Sequence, residues 1–206
     1  MLLESIRLQD GKMPLLSLHQ KRMDRARRAL YPKGPVIKLQ QLVREWELPR
    51  EGLFKLRLTY TNKVETLDVK PYAVREVRQL RMVNAEHLEY GRKYADREGI
   101  NRLFERRGDA DDIIMVKNGY VMDSSYANLA FFDGKHWYTP SYPMLRGVRR
   151  QALLATETIR PSLIRARDLR HFKQVKLINA MLPWGEGPTL PIEAISDGRG
   201  RSAAGG

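Results

Sequence analysis

Residues 118–140 read NGYVMDSSYANLAFFDGKHWYTP, and two turn signals divide them. Asn118-Gly119 suits a two-residue hairpin turn, in which both positions take positive φ, and it joins DDIIMVK to YVMD. Asp133-Gly134 does the same for ANLAFF and HWYTP. The spacing predicts two successive hairpins. Asp123 falls at the end of a strand rather than in a turn centre, with Ser124, Ser125 and Asn128 on the connection out. A carboxylate placed there can hold a proton on a ring nitrogen, while its ordinary alternative is to cap a turn.

On the C-terminal side, PMLRGVRRQALL sets Gly147 at the mouth of a helix predicted over 147–158. The first amides of that helix, those of Val148 and Arg149 among them, have no partner within it and suit a phosphate. IRARDL predicts a short strand and HFKQ a turn or short helix. VKLINAM predicts a strand that brings Asn179 and Ala180 to its end as further amide donors, and LPIEAI predicts the last strand. On the N-terminal side, GRKYADR sets Lys93 at the start of a helix predicted over Tyr94–Arg107 and closed by Gly108, with Arg92 and Arg97 close by. Burial and neighbouring positive charge disfavour an ammonium, which is how a lysine becomes an imine-forming nucleophile. A solvated lysine is the plain alternative. Arg57, in FKLRLTY, is a candidate for a substrate carboxylate or simply an exposed strand arginine.

Residues 1–83 predict an N-terminal α+β domain. It comprises a strand at Leu2–Arg7, a basic helix at Leu16–Leu30, a second helix in KLQQLVREWEL, a hairpin of Gly52–Tyr60 with Val64–Tyr72, and a third strand within Val74–Val83. NAEHLEYGR, residues 84–92, has no clear period and is the expected interdomain linker. Residues 93–195 form the expected C-terminal domain, and SDGRGRSAAGG, residues 196–206, a flexible tail.

The chain has 206 residues and no cysteine, which excludes a disulfide scaffold, a thiol nucleophile and Cys-ligated metal. Its four histidines, His19, His87, His136 and His171, lack metal-ligand spacing and read as surface or packing residues. Asp109, Asp111 and Asp112 lack the rest of a calcium loop, so no metal is expected. Lys and Arg number 37 against 24 acids, a net charge of +13 that attracts anions. The excess is spread rather than striped between aromatics, which disfavours nucleic acid as the partner. Its densest stretch, HQKRMDRARRALYP, reads as an amphipathic helix with Leu18, Met23, Ala26, Ala29 and Leu30 inward and a basic outer face. No apolar run approaches the roughly 18 residues of a membrane span. Glu4 and Arg7 interrupt any secretory signal, so the expected location is the cytoplasm.

Taken in order, these segments resemble the class IV, or fold-type IV, pyridoxal-phosphate aminotransferase family. ESIRLQDGKMPLLSLHQKR is similar to the family's opening strand, turn and helix, whose H-x-x-R arginine, here Arg22, reaches the cofactor phosphate. KYADR resembles the lysine motif, which implies that Lys93 carries the Schiff base and shuttles the proton. Residues 118–140 resemble the NG-x-(V/I)-x-E-x-x-x-x-N segment, with Asp123 in place of the glutamate that faces the pyridine nitrogen and Asn128 closing the motif. MLRGVRRQALL resembles the phosphate element at Gly147, Val148 and Arg149, and INAMLP is closest to the lyase branch at Asn179 and Ala180. The chain begins within the opening motif, where family members carry a further segment, and Leu3 stands where an aromatic commonly lines the pocket.

The resemblance implies two small mixed α/β domains with the cofactor site between them, a homodimer, and an anionic amino substrate, for which Arg57 and Arg97 are the candidate contacts. Aminodeoxychorismate lyase, releasing p-aminobenzoate and pyruvate, is the expected activity. The alternatives are a branched-chain or D-amino acid aminotransferase, and a weak or inactive member that binds anions or nucleic acid.

Overall fold

A computed structural model describes residues 1–197, which fall into two compact units. The first comprises residues 1–74 and 92–96, the second residues 75–91 and 97 onward.

In the first unit β1 (Leu2–Gln9) leads into α1 (Leu16–Leu30) and α2 (Leu39–Glu45), followed by the hairpin of β2 (Leu53–Tyr60) and β3 (Val64–Pro71). The sheet is antiparallel in the order β1-β2-β3. Period-two alternation sends Leu2, Ile6 and Leu8 of β1 and Leu56 and Leu58 of β2 to one face. There they pack with Met23 and Ala26 of α1 and with Leu39. The buried stripe of α1 differs from the expected one. It runs His19, Met23, Ala26, Arg27, whereas Ala29 is exposed and Leu30 lies at 39% exposure. Arg27 is inside because its guanidinium donates to the carbonyls of Thr61, Asn62 and Pro35, which ties the end of α1 to the β2–β3 turn.

The second unit holds β4 (Leu80–Asn84), α3 (Glu98–Glu105), β5 (Asp112–Lys117), β6 (Tyr120–Ser124), β7 (Asn128–Phe132), β8 (Trp137–Pro140), α4 (Val148–Ala155), β9 (Arg160–Ser162), β10 (Gln174–Ile178), β11 (Thr189–Pro191) and β12 (Ile195–Ser196). One sheet has the order β11-β10-β7-β8-β9 and the other β12-β4-β5-β6. A single apolar cluster, including Leu80, Ile114, Leu129, Phe131 and Leu177, draws on both sheets. Asn118 and Gly119 have φ of 52° and 75°, as the hairpin turn between β5 and β6 requires.

Four sequence expectations change. Residues 75–83 belong to the second unit rather than the first, because β4 pairs in parallel with β5 and with β12. Lys93 belongs to the first unit rather than to a domain beginning with it. IRARDL is not a strand: Ala166–His171 is a 3-10 turn, and the edge strand is Arg160–Ser162. Ser196, expected in the tail, pairs with Arg81 in β12, and the rest of the expected flexible tail, 198–206, lies outside the described residues. Among the described residues no helix is long and apolar enough to cross a membrane.

Candidate functional site

The first unit contributes a buried polar triad beneath its sheet. Glu4 sits on the otherwise apolar face of β1 and is fully buried. Its Oε1 accepts from Arg22 Nε at 2.9 Å, and its Oε2 accepts from Arg22 Nη2 and lies 2.6 Å from His19 Nδ1. His19 and Arg22 are three positions apart on α1 and share a face, so one carboxylate meets both. Burial works to raise the Glu4 pKa, but the Arg22 charge and the hydrogen bonds of His19 and Arg22 outweigh it and bring it down to about 2. Burial pushes His19 below the usual histidine range, against the pull of Glu4. The ring is therefore neutral, and because an ionised Glu4 only accepts, the proton sits on Nδ1. That leaves Nε2 as a bare buried acceptor with no hydrogen-bond partner among the described residues.

Lys93 lies on the free edge of β1 and not at the mouth of a helix. Leu3 N donates to Lys93 O at 2.9 Å, Ala95 N donates to Met1 O at 3.1 Å, and Leu2 and Tyr94 form an antiparallel bridge. The helix expected over Tyr94–Arg107 is confined to Glu98–Glu105, because Tyr94 is held instead in an isolated bridge to Leu2. Tyr94 packs with Leu2 in the core, and the half-buried Lys93 beside it sits in a tight turn closed by Tyr94 N on Arg92 O at 3.0 Å. Arg97 precedes α3 in the second unit and donates to Ser125 O.

In the second unit Asp123 is buried near the end of β6. Its Oδ1 accepts from Asn128 Nδ2 at 2.7 Å and its Oδ2 from Leu145 N at 2.9 Å. Burial raises its pKa to about 6, with the Leu145 and Asn128 hydrogen bonds and the Arg150 charge working against that. Asn128 is the hub. It also donates to Leu145 O at 2.7 Å and accepts from Gly147 N at 3.1 Å. A Cβ at Gly147 would stand 2.1 Å from Asn128 Oδ1, so a larger residue here would displace the Asn128 amide. Gly147 precedes α4, whose Val148 is buried and whose Arg149 is half-buried. Arg150 is turned inward, donating to Thr139 Oγ1 at 3.1 Å and to Pro140 O at 2.7 Å. Asn179 and Ala180 follow β10, where Asn179 Oδ1 accepts from Met181 N at 2.8 Å and closes the turn.

In the second unit, then, the structure brings expected residues together, Asp123, Asn128 and Gly147; in the first, Arg22 is bound to Glu4 and Lys93 is held at the edge of β1 by Leu3 N. Sequence reading missed Glu4 and His19. The signal was present, since a glutamate on the Leu2, Ile6, Leu8 face of a strand needs a cation, and the H-x-x-R spacing supplies two groups on one helix face. Among the described residues no group of His, Cys, Asp and Glu is arranged for a metal.

An uncharacterised protein of Haemophilus influenzae (strain ATCC 51907 / DSM 11121 / KW20 / Rd) is 37% identical over 183 residues, covering 87% of this chain and 97% of its own. The structure of a candidate 4-amino-4-deoxychorismate lyase from Haemophilus somnus 129PT superposes with a TM-score of 0.83 at 31% identity, covering 87% of this chain and 95% of that one. A hypothetical aminotransferase from Mycobacterium tuberculosis, in its PLP-bound form, shares the fold at a TM-score of 0.76 and 19% identity, over 98% of this chain and 82% of its own. The family model described as amino-transferase class IV matches residues 1–186, and the chain belongs to that family.

Proposed function

We propose that this protein is a pyridoxal-phosphate-dependent lyase that converts 4-amino-4-deoxychorismate to p-aminobenzoate and pyruvate. The observation that carries the reading is Asp123, a buried carboxylate oriented by hydrogen bonds on both oxygens and ion-paired to no described residue. It keeps acceptor capacity for one more donor, such as a ring N–H. The rest of the donor set fits the same group. Lys93 is the amine for an aldehyde, the first amides of α4 and Arg149 suit a phosphate, and Arg22, though held by Glu4, adds a cation. The choice of lyase draws on the 31% identical Haemophilus somnus protein.

When bound, the cofactor would supply an electron sink for charge left on the amine-bearing carbon. Lys93 would hold the cofactor by its aldehyde and, once the substrate amine has displaced it, take the proton from that carbon. Asp123, as a carboxylate, would keep the ring nitrogen protonated. Lys93 would then return its proton to the departing enolpyruvyl group, which leaves as pyruvate while the ring becomes aromatic. Lys93 would finally reclaim the aldehyde and free p-aminobenzoate, so the atoms balance with no water and no keto-acid acceptor.

The test has two parts. Borohydride reduction of the protein loaded with pyridoxal phosphate is expected to add the cofactor mass at Lys93 and nowhere in Lys93→Ala. Pyruvate release from 4-amino-4-deoxychorismate is expected without any keto acid. No adduct would sink the cofactor assignment, and turnover only with an amino donor and keto acid together would replace lyase by aminotransferase.

A further inference from the structure

The apolar face of the first unit's sheet is its core, whereas the other face is polar and ordered in rows. Across β1, β2 and β3 the register gives Leu3–Thr59–Thr66, then Ser5–Arg57–Asp68, then Arg7–Lys55–Lys70. Three cations stand opposite one another in the last row, an arrangement that weakens strand pairing. The row runs from Arg7, at 4% exposure, through half-buried Lys55 to Lys70 at the surface. Lys70 is answered by Asp68 at 3.0 Å. Among the described residues no carboxylate forms an ion pair with Lys55 or Arg57. The Lys55 ammonium stands 6.0 Å from the centroid of Tyr72.

Lys93 is held beside the first of these rows, its carbonyl accepting from Leu3 N at 2.9 Å. At a strand rise of about 3.4 Å per residue, the Arg57 row is roughly 7 Å from the Lys93 row and the Lys55 row roughly 14 Å. Away from the row beside Lys93, this face grows more cationic, through Arg57 to Lys55. Arg57 offers a planar fork matched to a carboxylate, and Lys55 a point charge beyond it.

We propose that Arg57 and Lys55, backed by Arg7, bind the carboxylates of the amine substrate and make the site selective for a dicarboxylate over a monocarboxylate. The proposal rests on the lyase reading, whose substrate carries two carboxylates, and it explains why a like-charged row is kept in a sheet that would be stronger without it.

The probe is 3-(carboxymethoxy)benzoate, an unreactive dicarboxylate, compared with benzoate by calorimetric titration of the full chain supplied with pyridoxal phosphate. The dicarboxylate is expected to bind at least about tenfold more tightly. Lys55→Gln and Arg57→Gln are each expected to remove most of that preference, Lys55→Arg to keep it, and all three to retain the cofactor's absorbance. Ligand-free Lys55→Gln is expected to melt above the parent, because the row's central charge is gone. With 4-amino-4-deoxychorismate the glutamine variants should raise KM by a larger factor than they lower kcat. Equal binding of the two probes, or glutamine variants that bind the dicarboxylate as the parent does, would overturn the proposal. Pyruvate release with an unchanged KM in both variants would overturn it while the lyase reading stands. Lost dicarboxylate binding in variants of a chain that releases no pyruvate would support the platform and reject the lyase.

Discussion

Asp123 takes a donor on each oxygen, and that limits what can replace it. Asparagine offers one oxygen where Asn128 Nδ2 and Leu145 N both donate, so one buried N–H would face an amide NH2. Asp123→Asn is therefore expected to lower stability by about 1–3 kcal/mol in chemical denaturation, although it removes a buried charge. Gly147→Ala acts on the same network from the other end. The added methyl displaces Asn128, and with it the group that orients Asp123. We expect a loss of about 1–3 kcal/mol and weaker retention of pyridoxal phosphate, read by dialysis and absorbance. Asp123 and Asn128 were legible in the sequence because both fall within one local motif, N-G-Y-V-M-D-S-S-Y-A-N. Their mutual contact was not, because it depends on the loop at Leu145 closing over them.

Glu4, His19 and Arg22 join an element to its neighbour: the carboxylate comes from β1 and both partners from α1. Removing one member of a buried charged set leaves the others uncompensated, so Glu4→Gln is expected to cost about 3–5 kcal/mol, measured by urea titration near neutral pH. Elements built from neighbouring sequence were readable. The helix over Leu16–Leu30 and the turn at Asn118-Gly119 follow from periodicity and turn chemistry. Elements whose partners are distant were misassigned. Leu80–Asn84 reads as a strand, but nothing local says that it pairs with Asp112–Lys117 and with Ile195–Ser196 rather than with the preceding hairpin. Lys93 and Tyr94 read as the start of a helix, since the edge of β1 that captures them lies some ninety residues earlier.

For the whole molecule, the buried carboxylates Asp123 and Glu4 give the stability curve opposing slopes, and buried Asp112, its pKa raised by burial, acts in the same sense as Asp123. Asp123 ionises at about 6 in the folded chain against 3.8 when unexposed to the fold, so the folded state holds the extra proton between those values. Its contribution is full below 3.8 and is lost as the pH rises through 6, on the order of 3 kcal/mol. Glu4 has the opposite sign. Its folded pKa of about 2 lies below 4.5, so its contribution is full above 4.5 and is lost as the pH falls toward 2. Together they set a maximum between about pH 4 and 5 for the ligand-free chain, which thermal melts across pH would show. Asp123→Asn should flatten the neutral side and Glu4→Gln the acid side. The bridge between Leu2 and Tyr94 has a consequence of another kind. Hairpins such as β5–β6 close over a few residues, whereas this contact must first close a loop of about 90, and contacts of such separation form late. A chain with every local turn in place would still lack this bridge and the β4–β12 pairing, which spans an even longer stretch, so the setting of Lys93 waits on long-range closure that no nearby turn supplies.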